Sequence, residues 1–185
     1  MSELRELLIQ ELGDLLNAEN QLVSALPKMA EAAHHPKLRE AFEKHLAQTQ
    51  EQVERLNQVF GILGEEPEAK TCRAMAGLVE EGEERIEESS EKDEQAADLA
   101  LIAAAQKIEH YEISGYGTAR TLARQLNEHE AARMLCQTLG EEESADYLLT
   151  EIAKPLLQEA RQEAETAGAG TAAARAPKRS HSRKA

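Results

Sequence analysis

The sequence predicts an all-α fold, a bundle of four long helices with one additional short helix. Its 185 residues include three Tyr, two Phe and no Trp, so the core must be built from Leu, Ala, Ile and Val. Apolar residues recur at alternating spacings of four and three, the pattern of an amphipathic helix. These observations exclude a β-sandwich or β-barrel, and the length fits one ordinary domain.

Five helices follow from the breaks in the apolar pattern. The breaks lie at Pro36, around Gly64 and Pro67, in the SSEKD stretch, and near Asn127. They predict helices over 3–34, 36–63, 71–88, 94–126 and 128–164, and the third of these is the short one. The helical bundle domain is therefore expected to span residues 1–165.

Residues 166–185 differ from the rest of the chain in composition. They are rich in Ala, Gly, Ser and basic residues and have no large apolar side chain, so we expect a disordered tail. The whole chain has a formal net charge of -14, although the tail contains no acidic residue. Two roles for the tail stay open, a solubilising extension or nucleic acid contact through its basic residues, Arg175, Lys178, Arg179, Arg183 and Lys184.

Nothing in the sequence indicates a membrane segment. No apolar run approaches the roughly 18 residues needed to cross a bilayer, and the first residues lack the basic and apolar regions of a signal peptide. We therefore expect a cytoplasmic protein. Cys72 and Cys136 form neither a redox pair nor a zinc motif and are expected to be reduced thiols.

Each long helix interrupts its apolar stripe with polar residues near its middle. The interruptions are Glu19 on the first helix, His45, Thr49 and Gln52 on the second, Glu112 on the fourth, and Glu142 with Asp146 on the fifth. Glu109 lies one turn before Glu112 and projects from the same face. The four helices are therefore expected to direct several carboxylates toward one central layer of the bundle.

Carboxylates inside a bundle require compensation, because an unpaired buried charge is costly. No Lys or Arg occupies the central stripe positions, and converging carboxylates repel one another. A pair of divalent metal ions would neutralise them. For the carboxylates taken together we favour a metal site over a purely structural polar network.

Beyond these features, the chain resembles the YciE/YciF-type ferritin-like proteins of bacteria over nearly all of residues 3–157. The matching segments are LGDLLNAENQL (12–22), HLAQTQEQVERL (45–56), CRAMAGLVEEG (72–82), AAAQKIEHYEISGYGTARTLA (103–123) and TLGEEESADYLLT (138–150). The resemblance implies a ferritin-like four-helix bundle with an extra short helix, assembled as a homodimer. It also implies a dinuclear iron site at the bundle centre and a link to stress responses.

The resemblance implies six metal ligands: Glu19, Gln52, Glu109, Glu112, Glu142 and Asp146. Glu19, Glu112 and Glu142 would be the core ligands of about two iron ions per chain, with manganese as the alternative. The chain departs from the family pattern at Gln48, where relatives commonly carry Glu, and either His45 or Glu51 could substitute. His45 and His110 are treated as supporting groups, because a single helical His is more often structural.

Two functions stay open at this point. The first is a dimetal carboxylate protein of the stress response that uses oxygen or peroxide, or oxidises iron. The second is a non-enzymatic dimeric stress protein with a degenerate metal site and a basic tail that recruits a partner or nucleic acid. Ferroxidase activity, peroxidase activity and simple metal binding would use the same ligands, so the sequence does not decide whether the protein is an enzyme.

Overall fold

The computed structural model describes residues 2–174, and it describes side chains within 2–162. This part of the chain is all-helical and contains no β-strand. A short 3-10 turn, Ser89–Glu91, follows the third helix. The five helices are α1 (Glu3–Ala32), α2 (Pro36–Ile62), α3 (Arg73–Glu88), α4 (Glu94–Gln125) and α5 (His129–Ala174). The predicted bundle of four long helices and one short helix is confirmed.

Local capping explains why most helix ends lie within two residues of their predicted positions. The Ser2 side chain accepts a hydrogen bond from the backbone N–H of Arg5 at the start of α1, and Asp93 caps α4 through the N–H of Ala96. Pro36 occupies the first turn of α2, where its missing N–H has no cost. Asn127 adopts a φ of 61° in the turn between α4 and α5.

The end of the last helix differs from its predicted position at residue 164. Helix α5 continues to Ala174 and so covers part of the segment that composition assigned to a tail. The added residues include several alanines, the strongest helix formers. The remainder of the basic tail, residues 175–185, lies outside the described residues, so its disorder and its contacts stay predictions.

The helices pair through short connections. A three-residue link joins α1 to α2, and a similar link joins α4 to α5, so each pair forms an antiparallel hairpin. The two hairpins pack together through contacts of α1 with α4 and of α2 with α5. Helix α3 packs against α4 and α1 on the outside of the bundle. The four long helices therefore enclose a common interior.

The interior consists of two apolar clusters separated along the bundle by a polar layer. One cluster contains Leu22, Phe42, Leu101 and Leu149 among others. The second contains Leu12, Leu56, Tyr116 and Leu135 among others. Residues between these positions on each long helix form the polar layer, so the stripe interruptions predicted from the sequence meet at one level.

None of the helices in residues 2–174 combines the length and the apolar character that crossing a bilayer would require. Cys72 and Cys136 are both free thiols in the structure, and Cys72 is fully buried.

Candidate metal centre

The polar layer is filled by four glutamates and one histidine that are almost completely shielded from solvent. Glu19 and Glu142 are 0% exposed, Glu112 is 1% exposed and Glu109 is 3% exposed. His45 is 6% exposed. Each long helix contributes at least one of these side chains. Glutamate is almost never buried to this extent without a partner, so the layer is not an ordinary core.

Four of these residues converge on one point. His45, Glu109, Glu112 and Glu142 each place a potential ligand atom so that all four atoms lie within 4.8 Å of one another. His45 Nε2 lies 3.4 Å from Glu109 Oε1 and 3.6 Å from Glu142 Oε2. The four residues come from α2, α4 and α5, so the bundle itself brings the cluster together. Its carboxylate and imidazole donors suit a divalent transition metal.

Many polar atoms of the layer have no hydrogen-bond partner. Buried polar atoms are normally hydrogen-bonded, so a group of unsatisfied atoms at one place indicates a ligand that binds them. All but one of these atoms are carboxylate or amide oxygens or histidine nitrogens, which can donate lone pairs to a cation. They are Glu19 Oε2, His45 Nδ1 and Nε2, Gln52 Oε1, Glu109 Oε2, both Glu112 oxygens, Glu142 Oε2 and, outside the layer, Arg120 Nε. The residues present therefore fit a bound metal.

A surrounding set of hydrogen bonds orients the buried carboxylates. Gln52 Nε2 donates to Glu142 Oε1 and, over 3.1 Å, to Glu141 Oε2. The Tyr116 hydroxyl donates to Glu19 Oε1. In Glu19 and Glu142, these bonds hold one carboxylate oxygen and leave the other without a partner. Such outer contacts commonly fix the orientation of metal ligands.

Burial is the main influence on the ionisation of the layer. It raises the pKa of Glu19, Glu109 and Glu112 well above the usual range, and the charges of neighbouring carboxylates raise these pKa values further. Burial also raises the pKa of Glu142 to about 7. It lowers the pKa of His45 to about 4, although the charge of Glu141 opposes this shift. At neutral pH the His45 ring is neutral and its nitrogen lone pair is available.

No described ion pair joins a Lys or Arg to Glu19, Glu109, Glu112 or Glu142. Arg55 lies nearby, but its guanidinium binds the carboxylate of Glu141 at 2.7 Å and 3.1 Å. Arg55 also donates to Thr138 Oγ1 over 2.6 Å. The arginine is therefore held by partners at the edge of the layer, and it forms no ion pair with the four central carboxyl groups.

The structure places the six predicted ligands at different depths. Glu109, Glu112 and Glu142 belong to the converging cluster, while Glu19 and Gln52 are buried in the same layer outside it. Asp146 lies at the rim with its side chain 24% exposed, where it accepts a hydrogen bond from Gln106 over 2.9 Å. Its role as a ligand stays a prediction.

His45 is the member of the cluster that the sequence treated only as a supporting group. It lies on the same stripe as Phe42 and Thr49, so its inward position was visible in the spacing. Glu51, the other possible substitute, is exposed. Gln48, the position where relatives carry Glu, is partly buried in an opening beside His45. His110 is 69% exposed and lies 3.5 Å from Asp146.

Comparisons with known proteins agree with the fold and the resemblance. The family model described as "Domain of unknown function (DUF892)" matches residues 3–165. Protein YciF of Escherichia coli (strain K12) is 47% identical over 154 residues, which cover 83% of this chain and 92% of that protein.

Solved structures extend the comparison. The crystal structure of the E. coli stress protein YciF matches with a TM-score of 0.81 and 45% identity, over 85% of this chain and 99% of that one. A protein from Rhodopseudomonas palustris matches with a TM-score of 0.76 and 39% identity, over 81% and 94%. A ferritin-like, diiron-carboxylate protein from Bacillus anthracis matches at 0.61 and 18% identity, over 83% and 99%. The last match shows the ferritin-like fold alone.

Proposed function

The chain belongs to the DUF892 family and is a homologue of the stress protein YciF, and from this membership and the buried centre we propose that it is a ferritin-like dimetal carboxylate protein of the bacterial stress response. The observation that carries the proposal is the convergence of His45, Glu109, Glu112 and Glu142 with unsatisfied lone pairs. The name of the E. coli relative supports the link to stress.

Charge supports two ions rather than one. Glu19, Glu109, Glu112 and Glu142 bring four carboxylates into a layer where His45 is neutral. Two divalent cations would balance all four carboxylates in their ionised form, whereas a single ion would require two of them to keep the protons that burial favours. His45, Glu109, Glu112 and Glu142 would hold the first ion. Glu19 and the carbonyl oxygen of Gln52 would supply donors toward the second.

The donor set suits iron and manganese, because hard carboxylates and imidazole bind both metals, and the family resemblance favours iron. Iron bound here would supply redox chemistry with oxygen, peroxide or further iron. The residues of the chain have three tasks around it. Glutamate and His45 donors bind the metal, Tyr116 and Gln52 orient two of the carboxylates, and the apolar clusters on either side exclude bulk water.

Metal analysis of protein purified without an affinity tag or chelator tests this proposal. We expect about two iron or manganese ions per chain, enough to balance the four carboxylates. His45→Ala and Glu142→Gln should each lose most of the metal, because each removes a donor of the cluster. Glu51→Gln is the matched control, since it changes an exposed residue of α2 and should keep the full content.

Absence of bound metal would decide between the two functions. A parent protein that takes up no metal after anaerobic loading with iron would contradict the dimetal function. The second function, a non-enzymatic dimeric stress protein with a degenerate site, would then be the better account. Loss of metal in Glu51→Gln as well as in the core variants would show that the metal binds to the acidic surface instead.

A further inference from the structure

A narrow opening leads between α2 and α5 from the surface to the metal centre. Ala41 and Gln48 line it from α2, and Ala145 lines it from α5. His45 and Glu109 lie at its inner end and are both buried. The opening therefore reaches two members of the converging cluster directly.

The size and lining of the opening restrict what can pass. Its volume is about 60 Å³, and a single water molecule needs about 10–15 Å³ measured in the same way, so only molecules of a few atoms fit. Phe42, Leu148 and Leu149 give it a largely apolar wall. Lys44 and Glu141 bring one positive and one negative charge to the lining, so it has no excess of either sign. These features suit a small neutral molecule.

The opening ends at His45, a side chain that can bind a ligand, and is therefore more than a gap in the packing. The side chain is 7% exposed, and neither ring nitrogen has a hydrogen-bond partner. An imidazole in this condition is available to a metal or to a molecule that arrives through the opening. The metal centre and the opening therefore share a residue.

We propose that this opening is the route by which dioxygen reaches the buried centre, and that Ala41 and Ala145 set its width. Dioxygen is neutral, diatomic and apolar, so it fits both the volume and the lining. The use made of dioxygen at the centre rests on the proposed dimetal function. The route itself depends on the packing of the helices and not on a bound metal.

Paramagnetic relaxation by dissolved dioxygen tests the route on the full-length, metal-free protein. Leu149 and Leu56 provide matched methyl groups, because they are 3% and 1% exposed but only Leu149 lines the opening. We expect roughly threefold or greater excess relaxation at the Leu149 methyls, since dioxygen can enter a cavity but not a close-packed core. Equal relaxation at the two leucines would overturn the proposal.

Two substitutions narrow the opening from opposite walls. Ala145→Phe and Ala41→Phe should each abolish the excess relaxation at Leu149 while leaving Leu56 unchanged. Ala47→Phe is the control, because it adds the same side chain at an exposed position of α2 outside the opening. Thermal unfolding of each variant establishes that it is folded. Excess relaxation that persists in both narrowed variants would contradict the proposal.

Metal content separates this proposal from the proposed function. Ala145 contributes no donor atom, so Ala145→Phe should hold as much iron or manganese as the parent. A parent without metal but with excess relaxation at Leu149 would contradict the function and support the route. A parent with metal but without that relaxation would support the function and overturn the route.

Discussion

Glu142 is one of the residues whose burial opposes ionisation. Burial raises its pKa from 4.5 to about 7, so the folded protein holds a proton there that the unfolded chain releases. The stability that comes from this difference in pKa is fully present below about pH 4.5 and is lost as the pH rises through about 7. The raised pKa values of Glu19, Glu109 and Glu112 act in the same direction. His45 acts oppositely, because its lowered pKa adds stability as the pH rises from about 4 to 6.5.

Since four carboxyl groups oppose one imidazole, we expect the metal-free protein to lose stability between about pH 5 and pH 8. Glu142→Gln should lose less over this range, by on the order of 3 kcal/mol, because the amide cannot ionise but can still accept the Gln52 hydrogen bond. Urea unfolding of both proteins at several pH values measures the difference. Parallel pH profiles for parent and variant would contradict the assigned protonation of Glu142.

Gln48 is the position where a single substitution should strengthen the metal site. Its side chain lines the same opening as His45 and Glu109, so Gln48→Glu brings another carboxylate toward the centre. We expect metal affinity to rise by about tenfold, because an anionic oxygen binds a hard cation better than an amide does. Competition with a chromophoric chelator measures the affinity.

The control for this substitution is Gln58→Glu, which adds the same charge at an exposed position of α2. The added carboxylate at 48 should also lower the stability of the metal-free protein at neutral pH through repulsion with Glu141, which lines the same opening. Equal affinities for parent, Gln48→Glu and Gln58→Glu would show that position 48 does not reach the metal.

The sequence predicted the buried carboxylates well because the helical period alone places them. Glu19, Glu112 and Glu142 occupy stripe positions between apolar residues, and all three are buried. Spacing within one helix does not determine how far a side chain lies from the bundle axis. Asp146, one turn beyond Glu142, therefore follows the same pattern but lies at the rim, where Gln106 and His110 of α4 contact it. That position depends on the packing of α4 against α5.

At the scale of the elements, two glycines lie where a helix packs so closely against its neighbour that a Cβ atom would collide with it. A Cβ at Gly13 of α1 would lie 2.7 Å from the backbone oxygen of Glu68, in the connection between α2 and α3. A Cβ at Gly115 of α4 would lie 2.8 Å from Leu15 Cδ2, the end of a flexible side chain. The backbone contact is harder to relieve than the side-chain contact.

We therefore expect Gly13→Ala to destabilise the protein by about 1–3 kcal/mol. The added methyl group would force the connection between α2 and α3 to move, and this movement would strain the hydrogen bond from Lys70 N–H to Gly13 O. Gly115→Ala should be close to neutral, because the gain in helix propensity of about 1 kcal/mol offsets the shift of Leu15. Gly117→Ala, with nothing near its Cβ, should stabilise α4 and serves as control. Chemical denaturation ranks the three variants, and a Gly13→Ala variant as stable as Gly117→Ala would contradict the close approach.

The helix boundaries show which local signals suffice and which do not. Ser2, Pro36 and Asp93 mark helix starts by side-chain capping or a fixed φ, and the sequence located these starts correctly. The last helix continues past Gly168 and Gly170, residues that disfavour a helix, so composition placed its end at residue 164 rather than at Ala174. Propensity without a cap defines a helix end poorly.

At the scale of the whole molecule, the bundle surrounds a layer that is costly without metal, so metal should stabilise the entire fold. Ligands that bind only the folded state add about 2.7 kcal/mol at a free concentration one hundred times Kd. For a domain of this size, that corresponds to a rise in Tm of roughly 5–11 °C. Calorimetry of the metal-free protein with and without iron(II), under anaerobic conditions, measures the rise.

Two variants of this experiment locate the stabilising metal. Glu112→Gln should strongly reduce the rise in Tm, because both Glu112 oxygens are unsatisfied in the layer. Glu51→Gln, at an exposed position, should preserve the rise. An equal rise in the two variants would place the stabilising metal on the acidic surface and remove the central layer as its binding site.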